Sequence, residues 1–499
     1  MAYRYGDRYQ MALFPQSIEE YVSKDDPVRA YDAFVEALDT KELGVILHDN
    51  KAGNPEYNPK SMIKLLLYGY SYGFRSSRKL ERATYHNLSF IWIMGGLKPD
   101  HKTIANFRRK NRNVLKDILK QCARMCIELD LIDGNTLFID STKIRANASI
   151  KNTYTIEKGQ RHLERINERI EKILTECERI DKQEENNASL IKLKGRLKQQ
   201  ELLKAKIEKV VKELKEEKKK SINTVDRDST KINFPARTHA GYNAHIAADE
   251  KNGLIVSNDV LSENDEKNQF ANQVNIANKT LGKKCATACA DAGYAHTEEL
   301  KKIHDQNIRV IVPSQKQALK NPPKEPNPFD KTNFIYDAKN DCYICPEGHT
   351  LPYSRTDERW GSRCYMITRN AKATPCKQCR HFGKCTKAKE GRKITRLQYE
   401  ELKEELEALY EEPESQSVYA LRKEKAELPF AHIKRNLGVQ AFLLRGLDGV
   451  KAEMSLFASC FNISRMITLL GGVSGLIKRF ASQKEVKITA HAPLAGASA

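Results

Sequence analysis

Residues 241–261, GYNAHIAADEKNGLIVSNDVL, contain the pattern that decides the fold. Two runs rich in apolar residues flank Asn252 and Gly253, and an Asn-Gly pair is a strong β-hairpin signal because both residues adopt positive φ easily. A third apolar run, NTLFID at 135–140, predicts a strand that ends on Asp140. We therefore expect at least three strands in this region, one of which ends on an acid.

The chain continues with strands that alternate with helices. KCATACAD at 284–291 is another short apolar run, and it ends on Asp291. Helices are expected at about 267–281 and at 296–306, and RVIVPS at 309–314 predicts a further strand. Continuous apolar runs flanked by helices suit buried strands. The sequence therefore predicts a mixed α/β core.

The composition limits the class of protein. The 499 residues carry 85 Lys and Arg against 65 Asp and Glu, a net charge of +20. This surplus favours DNA, RNA or anionic lipid as partner, with an ordinary basic soluble protein as the alternative. The N-terminus lacks the apolar region of a signal peptide, and the longest apolar stretches are too short or too interrupted to span a bilayer. We expect a cytoplasmic protein with no membrane partner and no disulfides.

Residues 1–130 predict an N-terminal helical domain. In the segment KPDHKTIANFRR, Pro99-Asp100 precedes a helix whose basic face carries Arg108 and Arg109. Such a face is a candidate for binding DNA phosphates, although an ordinary solvated face has the same composition.

Residues 155–221 predict an inserted coiled-coil helical hairpin. Apolar residues recur there with three- and four-residue spacing on both sides of the polar stretch DKQEENNAS. The hairpin is interpreted either as a strut closed on itself or as a contact between subunits.

Residues 336–390 are rich in cysteine and predict a small zinc-binding insertion. Two Cys-x2-Cys pairs suit tetrahedral Zn²⁺, because each pair supplies two thiolates from one tight turn. A short loop-rich segment needs such a structural metal. Nearby histidines are alternative ligands, and the expected ligands are Cys342, Cys345, Cys376 and Cys379, with Cys385 as a further candidate.

Two of the acids noted above have the chemistry of a metal site. Asp140 and Asp291 each follow an apolar run, and strand-end carboxylates are held rigidly beside a cleft. Carboxylates bind hard divalent cations, and a pair of such ions activates a water or hydroxyl for attack on a phosphodiester. Either acid alone is more readily explained as a turn residue or a helix cap. Glu427 is the candidate third acid, since it shares a helical face with Phe430 and Lys434.

Three segments carry a resemblance to a known family. FIDSTKIRANAS at 138–149, CADAGY at 289–294 and AELPFAHIKRNLG at 426–438, followed by FLLRGLDGVKAEMSLFASCFNISRM, resemble the DDE transposases of bacterial insertion sequences. Segments at 13–29, 53–81 and 96–109 resemble the N-terminal domain of that group. The resemblance covers nearly the whole chain, and its motifs stand in the expected order.

The resemblance implies an RNase H-like core. That core would be assembled from residues 134–154, 222–318 and 415–480, interrupted by the helical hairpin and the zinc-binding segment. Residues 481–499 would form a C-terminal tail.

The resemblance also implies the roles of individual residues. Asp140, Asp291 and Glu427 would hold two Mg²⁺ or Mn²⁺ ions. The group's signature is Tyr-x2-Arg-x3-Glu-x6-Lys, and Glu427-x6-Lys434 fits it. The upstream half is out of register, because four residues separate Arg422 from Glu427 and Lys423 stands at the strict Arg position. The residues implied in DNA binding are Tyr419, Arg422, Lys423, Lys434 and Arg435, and Glu424 is a competing acid that lacks the Lys spacing.

The function implied is that of a transposase. It would bind the terminal inverted repeats of an insertion sequence, cut the double-stranded DNA and transfer the strands to target DNA, acting as a homodimer near the nucleoid. A catalytically inactive DNA-binding protein and an RNase H-like nuclease are the alternatives, and both retain the basic surface.

Overall fold

A computed structural model of the chain describes residues 17–45, 56–182, 187–217, 219–234, 237–263, 266–319, 327–358, 361–367 and 375–490. The chain divides into two compact units. The first unit comprises residues 1–266, 272–286 and 421–499, and the second comprises residues 267–271 and 287–420. The N-terminal 130 residues therefore do not form a unit of their own.

The fold is mixed α/β, as the sequence predicts. The helices are α1 (Pro27–Ala37), α2 (Pro59–Ser71), α3 (Ser77–His86), α4 (Leu88–Ile93), α5 (His101–Lys110), α6 (Arg112–Glu128), α7 (Ile156–Lys182), α8 (Asn187–Glu216), α9 (Phe270–Leu281), α10 (Thr297–His304), α11 (Pro375–Gln378), α12 (Glu400–Glu411), α13 (Pro413–Lys425), α14 (Glu427–Ala431), α15 (Leu447–Leu469) and α16 (Val473–Ala490). The strands are β1 (Thr136–Arg145), β2 (Thr153–Tyr154), β3 (Ile222–Asn223), β4 (Thr230–Asn233), β5 (Thr238–Asp249), β6 (Ile255–Leu261), β7 (Thr287–Ala290), β8 (Arg309–Ile311), β9 (Ile335–Asp337), β10 (Cys342–Ile344), β11 (Thr350–Asp357), β12 (Ser362–Met366) and β13 (Lys393–Arg396).

The first unit contains an antiparallel sheet centred on β5. This strand pairs with β1 along one edge and with β4 and β6 along the other. The predicted hairpin at Asn252-Gly253 is present, and Gly253 adopts a φ of +65° in the connection between β5 and β6. The expected strand at Asp140 is also present, but it does not end there, because β1 continues to Arg145.

The buried helix α15 organises the rest of the first unit. It packs against α2, α6 and β6, and 15 of its 23 residues are buried. The apolar faces of the N-terminal helices are thus covered by α15, which explains why those helices are part of the larger unit. Helix α16 packs on α1 and extends to Ala490, so residues 481–490 are helical and not part of a tail. Residues 491–499 of the expected tail lie outside the described residues.

The inserted hairpin is formed by α7 and α8, which pack against each other. Strands β2 and β3 pair at its base. Its apolar residues form a cluster of their own, with Ile166 and Ile207 fully buried. At Gly159 a Cβ atom would lie 2.4 Å from the side chain of Val211, so glycine permits the close approach of the two helices.

The second unit contains a parallel pair and an antiparallel sheet. Strands β7 and β8 run parallel, and α10 connects them. The sheet has the order β13-β12-β11-β10-β9. The sequence predicts helix from about Ile394 onward, but Lys393–Arg396 pairs with β12 and helix α12 begins only at Glu400.

No single helix among the described residues is long and apolar enough to cross a membrane. Leu447–Leu469 and Val473–Gln483 meet that test only as a pair bent by 99°, and only by length and composition.

A buried carboxylate fixes the segment that leads into α15. Glu453 is fully buried, and it accepts hydrogen bonds from the N–H groups of Leu443 and Leu444 at 2.8 and 2.9 Å. The guanidinium of Arg75 lies 3.4 Å from the same carboxylate and donates to the carbonyl of Ala441 at 2.7 Å. Burial raises the pKa of Glu453, and its backbone donors and Arg75 act in the opposite direction. The interaction joins α15, the segment before it and the N-terminal helices.

We expect Glu453→Ala to destabilise the first unit by about 3 kcal/mol, because two backbone donors and Arg75 lose their buried partner. Glu453→Gln keeps an oxygen acceptor and should cost less. Urea unfolding monitored by circular dichroism compares the two variants with the parent protein. Equal stability of the alanine variant and the parent would contradict this role.

Candidate active site

Asp140 lies on the face of β1 that carries the candidate site. Side chains alternate along a strand, so Asp140 and Thr142 project to the same side. Asp140 is 7% exposed, and its carboxylate accepts the N–H of Ser141 at 2.8 Å. Thr142 was not identified from the sequence. Its position two residues after Asp140, which places both side chains on one face of a strand, could have indicated it.

Arg422 links Asp140 to Glu427. Its guanidinium donates to the Asp140 carboxylate at 3.0 Å and lies 4.0 Å from the Glu427 carboxylate. The side chains of Arg422 and Asp140 are 12% and 11% exposed, whereas that of Glu427 is 53% exposed. Two acids predicted from separate parts of the sequence therefore share one cation.

A break between helices explains the extra residue in the signature. Helix α13 ends at Lys425, and Ala426 separates it from α14, which begins at Glu427. The interruption allows Arg422 to face Asp140 although it lies five positions before Glu427. Lys423, the alternative at the strict position, is exposed.

Lys434 approaches the same face from a π-helical turn at His432–Asn436. Its amino group contacts the hydroxyl of Thr142. Burial lowers the pKa of Lys434, and the nearby Asp140 carboxylate opposes that effect. Lys434 is therefore held over β1, while the adjacent Arg435 is exposed.

Asp291 and Tyr419 belong to the second unit. Asp291 directly follows β7, and its carboxylate accepts the N–H of Gly293 at 2.9 Å at the start of a short helical turn. The ring of Tyr419 packs edge-on against that of Tyr410, with 5.2 Å between the ring centroids. The position of Asp291 at a strand end agrees with the pattern seen in the sequence.

Asp140 and Glu427 fit a divalent cation by their chemistry. Mg²⁺ and Mn²⁺ prefer carboxylate oxygen ligands, and both acids already face the positive charge of Arg422. As the side chains stand, no group of three or more His, Cys, Asp or Glu among the described residues is arranged to hold a metal ion.

The prediction that Arg108 contacts DNA is wrong, because its side chain is buried and bonded within the protein. Arg108 is only 5% exposed, and its guanidinium donates to the carbonyl of Arg75 at 2.6 Å and to the hydroxyl of Tyr70 at 3.4 Å. Helix α5 turns the face that carries Arg108 toward the neighbouring N-terminal helices, so the guanidinium bonds to them. Arg109 is exposed and donates to the side chain of Asn106 at 3.1 Å.

Four cysteines of the second unit line one small cavity of about 30 Å³. Three of them, Cys345, Cys376 and Cys379, are predicted zinc ligands. The fourth is Cys385, the further candidate. Burial raises the pKa of the Cys385 thiol, Arg392 lowers it, and the other three thiols raise it further. Cys342 does not line this cavity.

We expect Arg422→Gln to strengthen Mn²⁺ binding about tenfold, or about 1.4 kcal/mol, because the guanidinium no longer competes for Asp140 and Glu427. Isothermal titration calorimetry without DNA measures the dissociation constant. Lys423→Gln, one residue away and exposed, is the matched control and should leave it unchanged. If the Arg422 variant bound Mn²⁺ more weakly than the parent protein, the guanidinium would not be a competitor of the metal for the two acids.

Two protein families match parts of the chain. The transposase DDE domain matches residues 344–467, which include Glu427 and Lys434. A second transposase domain, DUF772, matches residues 16–110. No curated protein sequence matches the chain significantly.

One solved structure that resembles the chain is the cryo-EM structure of the piggyBac transposase synaptic complex with hairpin DNA. The two chains are 9% identical, and the alignment covers 94% of this chain and 83% of the other with a TM-score of 0.33. A TM-score this low does not establish a shared fold.

Both family matches are to transposase domains, one on the N-terminal helices and one on the segment that carries the glutamate and lysine of the site. Their order along the chain agrees with the resemblance found in the sequence. Together the two matches support an insertion-sequence DDE transposase, and the match to the DDE domain supports a DNA transposase enzyme.

Proposed function

We propose that this transposase binds the terminal inverted repeats of its element and cuts and joins DNA at a site formed by Asp140, Asp291 and Glu427. The observation that carries the proposal is the Arg422 guanidinium, which pairs with Asp140 and lies 4.0 Å from Glu427. Two acidic side chains that are far apart in the sequence thus lie near the same positively charged group. Asp291 is assigned to the same site from its place after β7 and from the resemblance.

The residues of the site divide the chemical work between them. Two Mg²⁺ or Mn²⁺ ions, when bound, supply the activation of a water or 3′-hydroxyl and the stabilisation of the leaving oxygen. Asp140 and Glu427 provide oxygen ligands. Arg422 neutralises both acids, and its guanidinium would be available to a DNA phosphate if metal ions held those acids. Lys434, held over β1 by Thr142, adds a second positive charge for the phosphate.

The base of the helical hairpin is a further DNA-binding surface in this proposal. An open cavity of about 330 Å³ is lined by four cations, Lys151, Lys158, Arg161 and Arg165, together with His162 and Tyr154, and no acid within the described part of the chain lines it. The rings of Tyr154 and His162 stack there at 5.8 Å. Burial lowers the pKa of His162, and the surrounding cations lower it further. Such a cluster attracts phosphates.

The exposed Lys423, Arg435 and Arg109 complete the proposed contacts with DNA. We assign the active complex to a homodimer, because two element ends must meet before strand transfer, with action on double-stranded DNA at the nucleoid. The cysteine-rich segment is assigned a structural Zn²⁺. An RNase H-like core is the fold proposed for the catalytic residues.

We expect Asp140→Asn, Asp291→Asn and Glu427→Gln each to abolish Mg²⁺-dependent cleavage of DNA that carries the element ends, because an amide is a poor ligand for a hard cation. Affinity for the same DNA should stay within about twofold of the parent value, since the substitutions leave the basic surfaces intact. Gel assays of cleavage and of binding measure the two properties on identical substrates.

Glu424→Gln is the matched control for the Glu427 variant. Glu424 lies three residues earlier, is exposed and pairs with Lys425 at 3.0 Å. The Glu424→Gln variant should therefore cleave DNA as well as the parent protein does. Full activity of the Glu427 variant, or loss of activity in the Glu424 variant, would refute the assignment. Cleavage without joining to target DNA would favour the nuclease alternative.

We expect the double variant Arg161→Gln/Arg165→Gln to bind DNA about tenfold more weakly and to reduce the salt slope of binding by about 2, because two phosphate contacts are lost. The control is Lys172→Gln/Arg179→Gln on the same helix, where Glu168, Glu171 and Glu176 surround the cations. Fluorescence anisotropy at several salt concentrations compares the pairs. Equal losses of DNA affinity in the two double variants would show that the hairpin base is not a specific DNA-binding surface.

A further inference from the structure

The cavity in the cysteine-rich segment has the size and lining of a site for one ion. Its volume of about 30 Å³ leaves room for little more than one water molecule or ion. Four thiols line it, from the end of β10, from α11 and from the turn after α11. Within the described chain, this places four soft ligands around a single small space.

Backbone N–H groups orient three of the four sulfur atoms. His349 donates to the Sγ of Cys345 at 3.3 Å, and His381 donates to the Sγ of Cys379 at 3.4 Å. The third sulfur, of Cys376, accepts the N–H of Arg392 at 3.4 Å. Bonds of this kind hold a sulfur ligand in place and stabilise the negative charge it carries when it binds metal.

The turn after Cys345 gives this ligand its position. Gly348 adopts a φ of +79° and donates to the carbonyl of Cys345 at 2.8 Å. The N–H of Cys345 in turn bonds to the carbonyl of His349 at 2.9 Å. A tight turn of this form presents its first cysteine to a metal on the concave side.

The position of Cys342 argues against its role as a ligand. It lies on β10 next to Tyr343, and neighbouring strand residues point to opposite faces. Tyr343 belongs to the apolar cluster that also contains Cys376, with Cys345 and Cys385 packed against it. Cys342 is therefore on the face of β10 away from the cluster that Cys345, Cys376 and Cys385 contact.

We infer that one Zn²⁺ binds to Cys345, Cys376, Cys379 and Cys385, with Cys385 in place of Cys342. This deepens the structural zinc proposed above and does not depend on the catalytic acids. The described side chains as they stand form no ready metal site, so metal binding requires the thiols to turn toward the cavity. Each thiol releases its proton as its Zn–S bond forms.

The nearby histidine His381 has another partner. Its ring bonds to the carboxylate of Glu347 at 3.0 Å and packs on Phe329 with 4.9 Å between the ring centroids. The four-thiolate set therefore fits better than a set in which His381 replaces a cysteine. In this set the metal links the end of β10 to the segment that contains α11.

The test compares Cys385→Ser with Cys342→Ser in the full chain. Both are single thiol-to-hydroxyl changes, and only the first removes a proposed ligand. Zinc is measured by mass spectrometry after equilibration with equimolar Zn²⁺ and gel filtration. We expect about one Zn²⁺ per chain in the parent protein and in Cys342→Ser, and loss of most of it in Cys385→Ser.

A third variant keeps the result informative if Cys385→Ser fails to fold. Cys385→His retains a ligand, so it should still bind one metal, and in the Co²⁺-substituted protein its thiolate charge-transfer absorption should fall by about a quarter because three of four thiolates remain. An unchanged absorption would overturn the assignment. Loss of zinc in Cys342→Ser, or no zinc in the parent protein, would also overturn it.

The zinc measurement separates this inference from the proposed function. It uses no DNA and no Mg²⁺. Asp140→Asn should retain one Zn²⁺ even though its cleavage is abolished. Failure of the catalytic assignment would thus leave the zinc result intact, and failure of the zinc assignment would leave the catalytic acids untouched.

Discussion

The buried carboxylate of Glu453 is the interaction on which the first unit depends. It binds the backbone N–H groups of Leu443 and Leu444 and faces Arg75 from the N-terminal helices. The same short segment meets the end of β1, where Phe442 donates to the carbonyl of Arg145 at 2.8 Å. A buried acid is unfavourable unless it is fully hydrogen-bonded. Its three partners therefore hold α15 and the segment before it together, and Phe442 joins that segment to β1.

That arrangement brings four residues of the candidate site close together. Asp140 is carried by β1, whereas Arg422, Glu427 and Lys434 precede the segment that Glu453 holds. The π-helical turn and the break at Ala426 then set the directions of the individual side chains. Arg422 and Lys434 approach β1 from the same stretch of chain, one bonded to Asp140 and the other in contact with Thr142. Both positive charges therefore already lie at the candidate site in the protein by itself.

Local patterns in the sequence were sufficient for part of this structure. The Asn-Gly pair predicts the hairpin of β5 and β6, and the apolar run before Asp140 predicts a strand, because both signals are contained within a few residues. The choice between Arg422 and Lys423 needed the break at Ala426, which interrupts the regular helical spacing. The burial of Arg108 depends on Tyr70 and Arg75 from other parts of the chain, which no local pattern reports. The face on which Cys342 lies depends on strand parity within β10, which spacing between cysteines does not contain. The convergence of Asp291 with the other acids stays a prediction.

The first unit is assembled from three separate stretches of the chain, and α15 is part of the last of them. The ribosome makes the chain from its N-terminus, so α2 and α6 emerge long before the helix that covers their apolar faces. Glu427 and Lys434 are also made late. A chain that stops before residue 447 has no partner for those faces and no Glu453 to fix the end of β1. We therefore expect no stable first unit until α15 has been made.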